Sequence, residues 1–275
     1  MAGILIVCAT PIGNLDDASP RVAEALTAAD VVYAEDTRRT SRLLQHLNID
    51  RPLRSFFVGN EQDRATELRE RLADGATAAL VSDAGTPGIA DPGVAAVRAA
   101  REAGATVTVV PGPSAVTTAL AGSGLGGDRF VFDGFLPRSG TERSDRLAAL
   151  ATERRTIVLF SATRRVHEDL ADLAAVLGAD RLVTVGRELT KVHEELWSGL
   201  LGAAALRWAE DARGEFTIVI AGARIEAPSM ETALAAVAAE RADGVRLSAA
   251  VRSVAATLGV SRRHLYEAAL RATDH

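Results

Sequence analysis

The sequence contains little cysteine, few aromatic residues and a single lysine. Cys8 is the only cysteine among 275 residues, which excludes a disulfide within the chain and a cysteine-rich zinc site. Aromatic residues make up 4% of the chain, leaving few rings for the base-stacking platforms of single-strand binders. Lys191 is the only lysine, so the other 30 of the 31 basic residues are arginine. We interpret this skew mainly as a coding bias towards alanine and arginine.

Long apolar runs and excess positive charge are absent too. No stretch of 18 consecutive apolar residues occurs, so we expect no membrane span. The first apolar run is short, ends at Pro11 and follows no basic residues, which is typical of a strand and not of a signal peptide. We therefore expect a cytoplasmic protein. The net charge of −5 argues against non-specific coating of nucleic acid, and 48% hydrophobic residues are ample for a core.

Residues 4–121 alternate short β-rich runs with helical stretches. The predicted strands are Ile4–Cys8, Val31–Ala34, Leu53–Phe57, Ala78–Val81 and Thr106–Val110. Helices are predicted at Ala18–Ala28, Thr37–Leu47, Glu61–Ala73, Gly93–Ala103 and from the Pro111-Gly112-Pro113 segment to Ala121. This alternation predicts an α/β domain over residues 1–121, with a mostly parallel sheet covered on both faces.

After the glycine cluster at 122–127 the pattern changes. Strands follow one another with fewer crossover helices, which predicts a second α/β domain with a mixed sheet over 122–224. A linker containing Pro228 leads to a helical tail at 229–275. Its second and third helices resemble a helix-turn-helix, with Gly259 in the turn and Ser261 as a cap. A small helical cap on a dimer is the alternative interpretation.

Three predicted strands end in loops rich in Gly, Pro and hydroxyl groups. These loops are residues 9–15, 81–93 and 110–115. Ligands of open parallel sheets bind at such strand ends. The middle loop holds Gly85, Pro87, Gly88, Pro92 and Gly93, more than a turn requires. No GxGxxG or GxxxxGK[ST] stands at a strand–helix junction, which disfavours Rossmann dinucleotide and P-loop sites. The middle loop suits a ligand with amine, adenine and ribose donors.

Several motifs together carry a resemblance to a known family. They are Ala9-Thr10-Pro11-Ile12-Gly13-Asn14-Leu15, Ala34-Glu35-Asp36-Thr37-Arg38, Ser82-Asp83-Ala84-Gly85-Thr86-Pro87, Asp91-Pro92-Gly93, Pro111-Gly112-Pro113-Ser114-Ala115, Gly134-Phe135-Leu136-Pro137-Arg138 and Arg187-Glu188-Leu189-Thr190-Lys191. Over residues 4–222 the chain resembles the tetrapyrrole-methylase-like class of S-adenosylmethionine methyltransferases. Gly85-Thr86-Pro87 stands where the porphyrinoid members have Gly-Asp-Pro, so the resemblance favours the ribosomal RNA branch.

The resemblance implies two α/β domains of the tetrapyrrole-methylase type, with S-adenosylmethionine in the cleft between them. It also implies a homodimer that methylates the ribose 2′-oxygen of a decoding-region cytidine in 16S rRNA of the small ribosomal subunit. The implied cofactor contacts are Pro11, Gly85, Thr86, Ile89, Ser114, Ala115, Leu189 and Thr217. We expect no metal.

A carboxylate base would help a ribose hydroxyl lose its proton during methyl transfer. Candidates are Glu35 and Asp36, which follow a predicted strand, and Glu61; Glu188 also lies in a family motif. For Asp36 a helix N-cap is an equally good interpretation, because Asp favours that position.

Arginines following the motif loops are candidates for RNA phosphate contacts. They are Arg38, Arg39 and Arg42 on one predicted helix, and Arg164 and Arg165. Arg164 and Arg165 lie in Ser161-Ala162-Thr163-Arg164-Arg165, where the ribosomal RNA branch of the family commonly has Glu-Ser-Pro-His-Arg. The added arginine is consistent with binding a phosphate. A solvated charged face is the alternative for the helix.

Two other functions remain open at this point. One is a small-molecule methylase of the tetrapyrrole type, and the other is a non-catalytic nucleic-acid-binding regulator that uses the tail.

Overall fold

The computed structural model describes residues 3–209, 212–224 and 229–273. Contacts divide the chain into two compact units, Met1–Ala223 and Arg224–His275. The described residues form ten β-strands and eleven α-helices.

The first sheet of the larger unit is entirely parallel. Its strands are β1 (Ile4–Cys8), β2 (Val31–Ala34), β3 (Leu53–Ser55), β4 (Thr77–Val81) and β5 (Thr106–Val110). They lie in the order β3-β2-β4-β1-β5. The predicted parallel sheet is therefore confirmed, and all the carboxyl ends meet at one edge.

Four helices cover the two faces of this sheet. They are α1 (Pro20–Ala28), α2 (Thr37–His46), α3 (Glu61–Ala73) and α4 (Val94–Glu102). Side chains alternate along β1, so Leu5 packs in one core cluster, whereas Ile6 and Cys8 pack in the cluster on the other face. Cys8 is fully buried, and burial raises the pKa of its thiol to about 12. It behaves as the small buried hydrophobe that an apolar strand predicts.

The second sheet is mixed, as predicted. Its strands are β6 (Phe130–Phe135), β7 (Thr156–Ser161), β8 (Leu182–Arg187), β9 (Glu195–Leu200) and β10 (Phe216–Ile220), in the order β6-β7-β10-β8-β9. Only the β6–β7 pair is parallel among these described strands. Helices α6 (Gly140–Ala151), α7 (Val166–Leu177) and α8 (Leu201–Arg207) accompany this sheet.

Helix α5 (Ala115–Ser123) connects the two sheets. It follows β5 of the first sheet, but it packs against β8, β9 and β10 of the second. A shared apolar cluster contains Ile12 from a loop of the first sheet, Val116 and Ala119 from α5, and Val158 and Val219 from the second sheet. The helix continues two residues past Ala121, where its end was predicted. The division of this unit into domains at 121 and 122 stays a prediction.

The smaller unit is helical. It contains α9 (Met230–Ala242), α10 (Leu247–Leu258) and α11 (Arg262–Thr273), around a core that includes Val237, Val251 and Leu265. Gly259 takes φ +66° directly after α10, a left-handed conformation that glycine adopts without strain. The three-residue turn at 259–261 has the length expected of a helix-turn-helix. No helix among the described residues has the length and apolar character needed to cross a bilayer.

Candidate active site

An apolar cavity of about 360 Å³ lies at the carboxyl ends of β1, β4, β5 and β7. Phe216 pairs with Ser161 and Arg187, so the amino end of β10 closes the same edge of the second sheet. We call this site the apolar cavity; its lining is Ile12, Ala84, Gly85, Thr86, Ile89, Ala90, Asp91, Ser114, Ala115, Val116, Phe135, Phe160, Ser161, Ala162, Thr163, Leu189, Glu215, Phe216 and Thr217. Its volume falls in the range of about 300 to 1,000 Å³ typical of small-molecule sites.

Two of the predicted loops are tied together at the rim of this cavity. Thr10 and Gly85 exchange backbone hydrogen bonds, with N–O distances of 2.8 and 3.1 Å. Gly85 has φ +76°, which a residue with a Cβ adopts at a cost. Ala90 nevertheless takes φ +61° in the same loop. Strain of this kind persists where the surroundings hold the backbone in place, and it clusters at binding sites.

Seven of the eight predicted cofactor contacts line the apolar cavity. They are Gly85, Thr86, Ile89, Ser114, Ala115, Leu189 and Thr217. Pro11, the eighth, lines a neighbouring cavity instead. The structure thus brings together loops that lie more than a hundred residues apart in sequence, while their role in binding stays a prediction.

Sequence reasoning missed two carboxylates of the apolar cavity, Asp91 and Glu215. Burial, followed by the nearby charge of Glu35, raises the pKa of Asp91 to about 6. The Asp-Pro-Gly motif was a signal for Asp91, but Glu215 lies in no motif that we singled out. No cationic side chain accompanies these carboxylates in the described lining. The cavity is therefore suited to a ligand that carries positive charge and apolar surface.

Glu35 is half-buried directly after β2. Its pKa is raised, first by burial and then by the charge of Asp83. Asp83 in turn accepts a hydrogen bond from the backbone N–H of Asp36 at 2.8 Å. Neither cavity lining, as described, includes Glu35, but its charge acts on Asp91, which lines the apolar cavity.

Asp36 and Glu61 make contacts that stabilise helix ends. Asp36 is the N-cap of α2: its Oδ1 accepts from the backbone N of Arg38 at 2.8 Å, and Oδ2 pairs with the guanidinium at 2.7 Å. These bonds hold the pKa of Asp36 well below its usual value. Glu61 Oε1 accepts from the N–H groups of Gly93 and Ala95 at the start of α4, at 3.1 and 3.4 Å. A catalytic role for either residue stays a prediction.

A second cavity, of about 420 Å³, adjoins the first. We call it the basic cavity; its lining is Thr10, Pro11, Ile12, Gly13, Leu15, Arg39, Thr40, Arg42, Leu43, Ser82, Asp83, Ala84, Lys191 and Glu215. Arg39 and Arg42, both predicted RNA contacts, are three residues apart on α2 and share one side of it. Arg38 is outside this lining and is paired with Asp36.

The loop after β8 contributes to both cavities. Leu189 lines the apolar cavity and Lys191 lines the basic one. Glu188 and Thr190 have φ values of +50° and +65°. The loop packs so closely on Gly13 that an added Cβ would lie 2.4 Å from Cγ of Lys191 and 2.8 Å from Oγ1 of Thr190. Gly13 is therefore required by close approach, and this contact fixes the loop.

Ser161, in the wall of the apolar cavity, begins a buried polar network. Its hydroxyl donates to Oδ2 of Asp169 at 2.6 Å. Oδ1 of Asp169 lies 2.9 Å from Nη2 of Arg143, whose Nη1 donates to the carbonyl of Pro137 at 2.8 Å. Arg165 pairs with Glu168 at 3.1 Å on the border of this network.

Arg164, by contrast, is exposed. The predicted RNA-contacting arginines therefore lie in different surroundings. Their charge was the property that they shared in the sequence.

A family model matches this architecture. The model described as "Tetrapyrrole (Corrin/Porphyrin) Methylases" covers residues 5–205, well over half of the chain. The chain therefore belongs to the tetrapyrrole methylase family.

Several curated relatives share nearly the full length of the chain. Proteins named ribosomal RNA small subunit methyltransferase I are 46% identical in Synechocystis sp. over 272 residues (98% of both chains) and 47% identical in Mycobacterium bovis over 273 residues (98% of this chain, 95% of the relative). In Escherichia coli O157:H7 the identity is 41% over 273 residues, again 98% and 95% of the two chains.

Solved structures share the fold at low sequence identity. The methyltransferase CobJ has a TM-score of 0.62 at 22% identity, covering 82% of this chain and 97% of its own. Diphthine synthase has a TM-score of 0.60 at 18% identity, covering 79% and 89%. These likenesses confirm the predicted two-sheet α/β architecture.

Proposed function

We propose that this chain is an S-adenosylmethionine-dependent methyltransferase that acts on ribosomal RNA of the small subunit. The observation that carries the proposal is the apolar cavity, which has two carboxylates and, among its described lining residues, no cation. It occurs in a chain that is 41–47% identical, over 98% of its length, to the three relatives named above.

The residues of the apolar cavity fit the methyl donor. S-adenosylmethionine supplies a methyl group on a positively charged sulfur, next to an adenosine. Asp91 offers negative charge to such a cation, while Ile12, Leu189 and Phe160 offer apolar surface. Glu215, the other carboxylate, is already paired with Lys191. The predicted contacts at Gly85, Thr86, Ile89, Ser114, Ala115, Leu189 and Thr217 would hold it, and Pro11 would support the loop beside it.

The finer proposal is that the acceptor is the ribose 2′-oxygen of a decoding-region cytidine in 16S rRNA. Here the chain has to align the hydroxyl and accept its proton. Glu35 is our candidate for the proton acceptor, because burial and Asp83 raise its pKa and so make it a stronger base than an exposed glutamate. Asp36 and Glu61 are then supporting residues that keep α2 and α4 in place.

RNA contact belongs to the same proposal. Arg39 and Arg42 are the α2 arginines that face a cavity. Arg38, Arg164 and Arg165 would contact phosphates further along the RNA. The resemblance also implies a homodimer, which light scattering on the purified protein would test.

Transfer of a labelled methyl group tests the proposal. The protein is incubated with methyl-labelled S-adenosylmethionine and, separately, small ribosomal subunits, free 16S rRNA transcript and uroporphyrinogen. We expect label in RNA, and 2′-O-methylcytidine after nuclease digestion. Label in uroporphyrinogen alone would instead favour the small-molecule methylase. An absence of both label and binding of the methyl donor would leave the non-catalytic regulator.

A further inference from the structure

We propose that the basic cavity binds a phosphodiester of the acceptor RNA, with Arg39, Arg42 and Lys191 as its phosphate ligands. The inference rests on the proposed function and specifies which part of the RNA this neighbouring site takes.

The two cavities are contiguous. Ile12, Ala84 and Glu215 line both of them, so groups bound in the two cavities lie against the same three side chains. Methyl transfer requires the acceptor oxygen about 3 to 3.5 Å from the carbon that it attacks. With the donor in the apolar cavity, an acceptor held in the basic cavity lies next to it across these shared side chains, which favours such an approach.

The charge of the basic cavity favours an anion. Its described lining has three cations, Arg39, Arg42 and Lys191, against the two carboxylates Asp83 and Glu215. Glu188, outside the lining, shares Lys191 with Glu215, so the positive charge left for an anion is mainly that of the α2 arginines. Arginine side chains present several N–H groups in a plane that matches two phosphate oxygens. A phosphodiester is the anion that an RNA chain brings to this site at every nucleotide.

Lys191 is positioned before any ligand arrives. Its Nζ lies 2.9 Å from Oε1 of Glu188 and 2.9 Å from Oε2 of Glu215. Although partial burial alone would lower the pKa of Lys191, Glu215 and Glu188 raise it above its usual value, so the group stays charged. An ammonium has three N–H donors, and these two bonds leave one for a phosphate oxygen. Lys191 therefore serves as a fixed cation and not as a base.

Arg39 and Arg42 complement this fixed cation from the α2 side. Arg39 Nε lies 3.6 Å from Oδ2 of Asp83, a long ion pair that orients the side chain without closing it off. Among the residues that the structure describes, no carboxylate lies within ion-pair distance of Arg42. Its guanidinium is exposed and available for a phosphate.

The first test compares Arg42→Gln with Arg98→Gln. Arg98 is an exposed arginine on α4 that belongs to neither described lining, so it controls for the loss of one positive charge. The readouts are RNA affinity by filter binding with S-adenosylhomocysteine present, the salt dependence of that affinity, and the S-adenosylmethionine dissociation constant by calorimetry.

We expect Arg42→Gln to weaken RNA binding about tenfold, as for loss of one charge-assisted hydrogen bond. The slope of log affinity against log salt should fall by about 0.7 to 0.9, the value for one phosphate contact. Donor affinity should match the wild type. If Arg42→Gln behaves like Arg98→Gln, the inference is wrong. It is equally wrong if donor affinity falls and RNA affinity does not, since the cations would then hold the donor's carboxylate.

The second test uses the fact that Lys191 is the chain's single lysine. An amine-reactive acetylating ester modifies its Nζ, and peptide mass spectrometry measures the extent against the denatured protein. Small subunits or 16S transcript should slow the modification about fivefold or more, because a bound phosphate blocks the remaining N–H position. S-adenosylhomocysteine alone should leave the rate unchanged. Equal rates with and without RNA would overturn the inference.

The two proposals fail in different ways. A wild-type protein that transfers no methyl group to any RNA contradicts the proposed function. The phosphate site alone is contradicted if the wild-type protein methylates RNA, Arg42→Gln binds RNA as Arg98→Gln does, and RNA leaves the acetylation rate of Lys191 unchanged.

Discussion

The apolar cavity and the basic cavity share a wall but differ in charge. The first has two carboxylates and, in its described lining, no cation; the second has three cations beside two carboxylates, and Glu215 lines both. The first is built from strand ends and small-residue loops of both sheets. The second combines one helix, α2, with the loops after β1, β4 and β8. Methyl transfer joins a cationic donor to a polyanionic acceptor, and two adjacent sites of opposite character keep each reactant in its own place.

The largest expected effect comes from Glu35, which follows β2 and whose charge acts on Asp91 of the apolar cavity. Replacing Glu35 with Gln removes the proposed proton acceptor and should lower kcat about 10² to 10⁴-fold, the usual contribution of a general base. Donor and RNA affinities should stay within about twofold, because Glu35 is in neither described lining. Single-turnover methylation of small subunits measures the rate.

The neighbouring variant Asp36→Ala is the comparison for Glu35→Gln. It should lower the melting temperature by removing the α2 cap while leaving the rate nearly intact. A wild-type kcat in Glu35→Gln would show that Glu35 is not the proton acceptor.

The next effect concerns the buried network behind the apolar cavity. Arg143→Met removes the nearer cation of the buried Asp169 carboxylate, leaving only Arg165 at 3.8 Å, and should reduce the free energy of unfolding by about 3 kcal/mol. Urea denaturation followed by circular dichroism measures the loss. Arg146, on the same helix as Arg143, pairs with Asp133 of β6. Arg146→Met should cost much less, because Arg146 is 41% exposed. Equal losses of unfolding free energy in the two variants would show that the buried Arg143–Asp169 pair contributes no more than the exposed one.

A tenfold effect is expected for donor binding in Asp91→Asn, since a charged hydrogen-bond partner is lost. The wild-type pKa is about 6, so Asp91 is ionised above that pH and protonated below it. Affinity for a cationic donor should therefore fall as the pH drops from 7 to 5. Calorimetry across this range should show a flatter profile in Asp91→Asn. An unchanged profile would mean that Asp91 does not face the donor's charge.

The smallest effect is expected at the strained rim of the apolar cavity. Ala90 has φ +61°, and Ala90→Gly removes a left-handed strain of about 1 to 2 kcal/mol while adding backbone entropy to the unfolded chain. The net result should be a rise in unfolding free energy of less than about 1 kcal/mol, measured as a small increase in melting temperature. Ala95→Gly, inside α4, should show the opposite sign. A clear loss in Ala90→Gly would mean that the methyl group contributes packing.

Much of the fold was predictable because its signals are local. Apolar runs such as Val31–Ala34 form strands buried on both faces. Helix α1, predicted from Ala18, begins at Pro20 with Ser19 as its N-cap. The predicted strand Leu53–Phe57 ends at Ser55 instead, because the backbone N–H of Phe57 turns to the side chain of Asn60. Such a competing side-chain bond is hard to foresee from strand propensity.

The candidate site was predictable in part. Gly85, Thr86 and Ser114 lie in loops whose composition already indicates a ligand. Glu215 meets Lys191 only because β10 pairs antiparallel with β8, a pairing that no local pattern encodes. The different surroundings of Arg38 and Arg42 follow from helical periodicity, which the sequence does contain.

The turn at Glu188–Lys191 has a thermodynamic consequence. One short stretch of backbone presents Leu189 to one cavity and Lys191 to the other. If a ligand that moves Leu189 also moved Lys191, the two binding equilibria would be coupled. By linkage, whatever factor the methyl donor applies to the affinity for RNA, RNA applies to the affinity for the donor.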